Sequence, residues 1–308
     1  MADRELTASP SMLPLFTRAG LALIPGASRL PFVGGGGGDV PDQALTRTDV
    51  AVDRERLAAY DRVCGFALSD TLPATYPHML AFPMHLALMT DGRFPLPAIG
   101  LVHIANRITV HRPIRATEAL SLRVWATPIE PHQRGRRFDI RTEARAGDEL
   151  VWEEVSTNLG RGTGSPDAAK TDDLPSSEAL PATATWRLRG DLGRRYGSVS
   201  GDLNPIHVHP LSARLFGFPS AIAHGMWTKA RCLAALGSEL PGAYTVQVAF
   251  KKPILLPATV QFAEAPATGG LGIGFGVRDA KRGTPHLDGV VSWAPKAAAA
   301  RRRPRRPA

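Results

Sequence analysis

The chain has 308 residues, 44% hydrophobic and 21% charged, with 37 Lys and Arg against 28 Asp and Glu for a net charge of +9. This is the balance of a water-soluble globular chain with enough material for one or two domains. No apolar run is long enough for a membrane-spanning helix, the start lacks the charged-then-apolar order of a secretion signal, and Cys64 and Cys232 allow one disulfide at most, so a cytoplasmic setting is expected.

The first segment, 1–44, is read as an N-terminal extension. Its apolar stretch 12–25 is interrupted by Arg18 and two prolines, and Gly34–Gly38 form a flexible run. No Gly-Lys-Ser/Thr follows those glycines, which argues against a phosphate loop. The next unit, 45–163, reads as a short helix near Tyr60, a loop, and an apolar helix over 78–90 with Pro83 near its start. Strands follow at 99–111, 117–127, 136–146 and 150–158. Residues 164–182 have linker composition. The unit 183–296 repeats the plan, with an apolar helix over 223–236 begun near Gly225 and strands at 243–251, 257–264, 271–278 and 286–294. In 270–277 glycines alternate with Leu271, Ile273, Phe275 and Val277, a strand with one bare face where something packs closely. Six of the positive charges (Lys296, Arg301, Arg302, Arg303, Arg305, Arg306) lie in 296–308, so the body carries only about +3 and no nucleic-acid partner is expected. The tail, 297–308, is read as a basic, disordered terminus, either solvated and functionless or touching anionic lipid, nucleic acid or an acidic carrier protein.

The two units share a weak internal repeat in consistent order. Tyr60–Gly65 parallels Tyr196–Gly201, Leu80–Met84 parallels Ile222–Met226, and Arg112-Pro113-Ile114 parallels Lys252-Pro253-Ile254, with offsets of 136, 142 and 140. Extended along the first pairing, Asp202 falls on Phe66, Asn204 on Leu68 and His207 on Thr71. The first copy then lacks the polar groups and is shorter by about six residues before its central helix.

Chemistry concentrates at 196–209. Asp202 and His207 stand five positions apart around an Asn204-Pro205 turn that can fold them toward one point, where they could share a water as base and acid. Seventeen residues after His207 comes Ala223-His224-Gly225-Met226, at the start of a helix. Unpaired N–H groups there, with no Cβ on Gly225, suit a developing enolate oxygen. The bland readings stand beside this one. Asp-x-Asn is often an ordinary turn, and His224 serves equally as a core or capping histidine. His207 and His209 could form half a metal site, but no third ligand is placed locally, so no metal is expected. Ser200 lacks the preceding glycine of a nucleophile elbow. Met79–Met89 is a candidate groove wall or plain core.

Tyr196–His207, with Ala213, Gly217-Phe218 and Ile222–Met226, resembles the signature of the MaoC-like, (R)-specific enoyl-thioester hydratases (hydratase 2), and the whole pattern resembles their double-hotdog dehydratases of actinobacterial type. The resemblance implies an α+β double hotdog, two antiparallel sheets each wrapped round a central helix, with a non-catalytic first copy and a catalytic second. It implies Asp202 and His207 as the catalytic pair, the Gly225 amide on the thioester oxygen, and Asn204, Pro205, Ser200 and His224 in support. The substrate would be a trans-2-enoyl or (3R)-3-hydroxyacyl thioester of coenzyme A or acyl carrier protein, with no cofactor. The chain would be a homodimer or a monomer with a pseudo-dimeric fold. A serine that some members carry further along the central helix is missing from Arg231-Cys232-Leu233. A thioesterase on the same fold and a non-catalytic acyl-binding or scaffold protein are the alternatives.

Overall fold

The computed structural model describes residues 1–21, 39–168, 174, 176–267 and 270–294. The glycine run 34–38 and the tail 297–308 lie outside them, as does part of the linker. None of the helices among the described residues is long and apolar enough to cross a membrane.

In the first unit, α2 (Arg54–Cys64) opens on Asp53, whose side chain accepts from the N–H groups of Glu55 and Arg56, and ends at Gly65 with φ +83°. The central helix α3 (Tyr76–Met89) follows, then β3 (Leu101–Val110), β4 (Leu120–Ala126), β5 (Glu130–His132), β6 (Gly135–Ala146) and β7 (Glu149–Arg161). In the second unit, α4 (Leu192–Ser200) ends at Gly201 with φ +84°. After it come α5 (Pro205–Val208), α6 (Pro210–Leu215), the central helix α7 (Gly225–Leu236), β9 (Tyr244–Phe250), β10 (Ala258–Pro266), β11 (Gly272–Asp279) and β12 (Pro285–Ser292). The paired left-handed glycines, a conformation natural to glycine alone, give the repeat its structural meaning.

The eight expected strands lie within a few residues of their expected bounds. Four others were not anticipated: β1 (Ala2–Glu5), β2 (Gln43–Val50), the short β5, and β8 (Ala182–Leu188). The helix α1 (Met12–Leu21) was also unanticipated. All twelve strands join one sheet in the order β1-β2-β4-β6-β7-β3-β9-β12-β11-β10-β8, with β5 on β6. The halves meet where β3 pairs antiparallel with β9, Asn106 opposite Val248 and Ile108 opposite Val246. This is an α+β double hotdog within one chain.

Two expectations are corrected. Pro83 does not begin the first central helix; it lies inside α3, which starts at Tyr76 with Pro77 in its first turn, where a missing N–H is harmless. The repeat also diverges earlier than the pairing of Thr71 with His207 assumed. Thr71 bridges Arg115, and the matching bridge in the second unit joins Ile222 to Leu255. Ten residues (66–75) separate Gly65 from α3, whereas twenty-three (202–224) separate Gly201 from α7, a difference of thirteen rather than six. The first copy has no counterpart of α5 and α6 at all.

The bare face of β11 is covered. A Cβ on Gly276 would fall 2.1 Å from the Ser177 Cβ, so the end of the linker segment crosses the strand there. Arg278 holds that crossing by donating to the carbonyls of Ser177, Glu178 and Leu180.

Lys229 of α7, fully buried, lies where the halves meet. Its Nζ donates to the carbonyls of Asn106 and Val246, both at 3.3 Å, and to Asn106 Oδ1. Asn106 and Val246 are 140 positions apart, the offset of the repeat at Arg112 and Lys252. One ammonium therefore ties equivalent carbonyls of the two copies, with its three donors satisfied.

Candidate active site

The loop 202–207 rests on a glycine face of α4. Gly193 and Gly197 are four apart, hence one above the other on the same face. A Cβ on Gly193 would fall 1.9 Å from the His207 carbonyl oxygen, and one on Gly197 2.8 Å from that of Asp202. At the repeat offset of 136, the first copy has Leu57 and Asp61 at these places and no such loop to receive. Local hydrogen bonds fix the rest. The Asp202 N–H donates to Ser200 Oγ (3.2 Å), the Asn204 N–H to Asp202 Oδ1 (3.2 Å), and the Ile206 N–H to Asn204 Oδ1 (3.3 Å), which caps α5. Pro205 is the first residue of that turn, and Ser212 Oγ donates back to its carbonyl at 2.7 Å.

His207 and His224 are drawn together. Their rings stack with centroids 3.7 Å apart and planes 25° apart. His207 Nδ1 lies 2.8 Å from the Ile222 carbonyl, which can only accept, so Nδ1 carries the proton and Nε2 is the free base. His224 Nε2 donates to the Asp202 carbonyl (3.0 Å) and lies 3.7 Å from Asp202 Oδ2. His224 precedes α7 but makes no side-chain cap; it is a buried positioning group. Burial lowers His207 below the usual histidine value, against the raising effect of Asp202 and the Ile222 carbonyl. Burial, then the neighbouring His207, brings His224 down to about 3. Both rings are neutral near pH 7.

Gly225 is the first residue of α7, so its N–H has no intrahelical partner. The reason for glycine differs from the expected one. The place a Cβ would take is 2.9 Å from the Phe250 ring, so an aromatic neighbour occupies it rather than open approach space. The expected serine position on α7 carries no hydroxyl, but Thr228, one turn into the helix, faces the same cavity.

That cavity, about 350 Å³, is lined by Ser200, Asp202, Asn204, His207, His224 and Gly225 from the second unit. Met79, Phe82, Leu86 and Met89 of α3 line it from the first, so the Met-rich stretch forms wall, while Met84 is core. Phe16 and Ala19 of α1 line it as well, so the extension shapes the cavity. Pattern reading missed this contribution, because nothing local in 12–21 signals where the helix docks.

Among the described residues, two groups of side chains bring donor atoms within 4.8 Å of one another: Asp202 with His207 and His224, and His78 with His85 and Glu154. Neither is the His207–His209 pair weighed from sequence; His209 instead accepts from the Leu211 N–H at the start of α6. In the second group His78 Nδ1 is 2.7 Å from Glu154 Oε1 and His85 Nε2 is 2.7 Å from Thr142 Oγ1, so these donors are already used. Cys64 and Cys232 are both free and buried.

The family model described as "MaoC like domain" matches residues 177–269. The 3-hydroxyacyl-thioester dehydratase X of Mycobacterium tuberculosis is 36% identical over 288 residues, covering 92% of this chain and 98% of that protein. The chain belongs to the MaoC-like dehydratase family. The 3-hydroxyacyl-thioester dehydratase Y of the same organism is 27% identical over 72% of this chain and 74% of its own length. The crystal structure of HtdX from M. tuberculosis superposes with a TM-score of 0.71 at 37% identity, over 80% of this chain and 98% of that one. MaoC-like membership places the chain among the hydro-lyases.

Proposed function

We propose that this protein is a hydro-lyase that interconverts trans-2-enoyl and (3R)-3-hydroxyacyl thioesters of coenzyme A or acyl carrier protein. The observation that carries the reading is the His207 ring, its Nδ1 held by the Ile222 carbonyl, gathered with the Asp202 carboxylate within one group of donor atoms at the wall of a cavity that also meets the N-terminus of α7.

In hydration, Asp202 and His207 hold one water. His207 Nε2 takes a proton as the water oxygen bonds to the β-carbon, and the electron pair of the double bond moves to the thioester oxygen. The Gly225 N–H, at the positive end of the helix dipole, stabilises that enolate. Return of the proton to the α-carbon restores the thioester and the neutral imidazole, and dehydration is the reverse. Asn204, Pro205 and Ser200 hold the loop, and His224 holds His207. In this reading the second unit, 183–296, carries the chemistry and the first, 45–163, shapes the acyl site in a cytoplasmic enzyme.

The test is purified protein with crotonyl-CoA and a longer 2-enoyl-CoA, reading loss of the enoyl-thioester absorbance and the chirality of the product. An (R)-3-hydroxyacyl product supports the proposal. Release of free thiol with no hydrated product would replace it with a thioesterase.

A further inference from the structure

The first unit carries a buried charged network that opens onto the same cavity. Glu154 of β7 is fully enclosed, and its Oε1 accepts from Asn106 Nδ2 at 2.7 Å. Asn106 Oδ1 in turn accepts from Lys229 Nζ, so a buried cation and a buried carboxylate face each other through one amide. Glu154 Oε1 also accepts from His78 Nδ1 at 2.7 Å. Burial works to raise the Glu154 carboxyl, but His78, His85 and Asn106 outweigh it and bring it down to about 2. Taking such charges out of water is costly, and a network of this kind does not by itself favour folding over an apolar packing of the same volume.

The network reaches the cavity at Ser156, whose Oγ accepts from Asn106 Nδ2 at 2.9 Å, and at His78. The carboxylate holds the Nδ1 side of His78 and leaves Nε2 to meet a hydroxyl, which can both donate and accept. Among the described residues nothing bonds to His78 Nε2, and its side chain, a tenth exposed, lines the cavity. Ring contacts join His78 to the helix start. Phe250 packs on Gly225, the His103 ring lies 4.9 Å from that of Phe250, and the His78 ring lies 6.4 Å from that of His103. His78 thus belongs to the same cavity wall as Gly225 without touching it. Met79, Phe82 and Leu86 are apolar lining of this wall, while His103, Ser156 and Asn158 are polar lining.

We propose that His78, held by Glu154, is a hydrogen-bonding subsite for a hydroxyl group on the acyl chain, so that the preferred substrates are hydroxylated acyl thioesters rather than plain alkyl ones. This rests on the reading of the site as an enoyl-thioester hydratase. A buried polar group on a cavity wall selects strongly, because a ligand without the matching hydroxyl leaves it unpaired.

The experiment compares kcat/KM for a plain medium-chain 2-enoyl-CoA with that for the same chain hydroxylated at successive carbons beyond the β-position. The native enzyme should favour one hydroxylated isomer by about tenfold, the worth of one well-made hydrogen bond. His78→Asn keeps an amide donor for Glu154 and removes Nε2; it should bring the ratio near unity. His78→Phe combined with Glu154→Gln provides a second test should the first variant fold poorly, and each rate is normalised to crotonyl-CoA turnover by the same preparation. No preference in the native enzyme, or a preference that survives in either variant, overturns the subsite. Absence of hydration with every substrate, crotonyl-CoA included, would instead defeat the underlying function.

Discussion

The rings of His207 and His224 stack at 3.7 Å, and each fixes its own proton on a backbone carbonyl, His207 on Ile222 and His224 on Asp202. The pair sets the direction of the free His207 Nε2. Replacing His224 by Phe keeps a flat ring against His207 but removes the bond to the loop. Turnover should fall about tenfold with KM little changed, the size of effect expected when a reacting group is misplaced rather than removed. Steady-state kinetics on crotonyl-CoA would show it; an unchanged kcat would make His224 mere packing.

Removal of the acid/base groups themselves should act more severely. Asp202→Asn and His207→Ala should each lower kcat by roughly 10²–10⁴-fold, the usual contribution of a positioned proton-transfer group. The thermal midpoint should stay near that of the native protein for Asp202, which is only partly buried. The opposite result belongs to the first copy: exchange of Asp70, which pairs with Arg54 at 2.8 Å on the exposed surface, should leave the rate unaltered.

The acid limb of the pH profile has a defined sign. Burial is the largest influence on His207 and lowers it from the ordinary histidine value of 6.5, while Asp202 opposes it. Hydration needs the neutral ring, so kcat/KM should be flat above neutrality and fall only at a pH below 6.5. In Asp202→Asn the raising charge is gone, and the residual activity should hold to a still lower pH. A limb above 6.5 in the native enzyme would contradict this arrangement.

Gly193→Ala tests the seat of the loop. Its Cβ would meet the His207 carbonyl at 1.9 Å, and backbone cannot yield as a flexible side chain can. The loop must lift off α4, so activity should drop at least a hundredfold while the far side of the fold stays intact. Far-UV circular dichroism alongside kinetics separates the two effects.

This glycine seat marks where sequence reading ended. Eight strands and both central helices were legible because Val, Ile, Phe and Trp alternate there and Gly65 and Gly201 punctuate the chain. The Asp202–His207 spacing was legible because an Asn-Pro turn brings its flanks together locally. What escaped depends on distant packing. The face formed by Gly193 and Gly197 has meaning only once the loop lies on it, and the docking of Phe16 and the Lys229–Asn106–Glu154 chain join segments far apart in sequence. The repeat itself misled past Gly65, since a thirteen-residue gap cannot be placed by weak similarity and was read as point replacements at Phe66, Leu68 and Thr71.

Lys229 provides the most demanding test of the architecture. Lys229→Met retains most of the volume but leaves the carbonyls of Asn106 and Val246 without their donor and Glu154 without its cation. Breaking a buried pair from one side typically removes about 3–5 kcal/mol, so urea unfolding should shift by that order at pH 7. Adding Glu154→Leu should recover part of the loss, because the uncompensated carboxylate is then gone. The native protein also has a characteristic slope. Burial brings the Lys229 ammonium down to about 7 from 10.5, with Glu154 opposing. Between these values the unfolded chain holds the proton and the folded one releases it, so this group makes stability rise with pH by up to about 1.4 kcal/mol per unit, and it adds no slope below 7. Unfolding curves of native protein and Lys229→Met at pH 7 and pH 9 should therefore diverge, the gap widening at the higher pH; a constant gap would mean that Lys229 keeps its proton throughout and would contradict the lowered value.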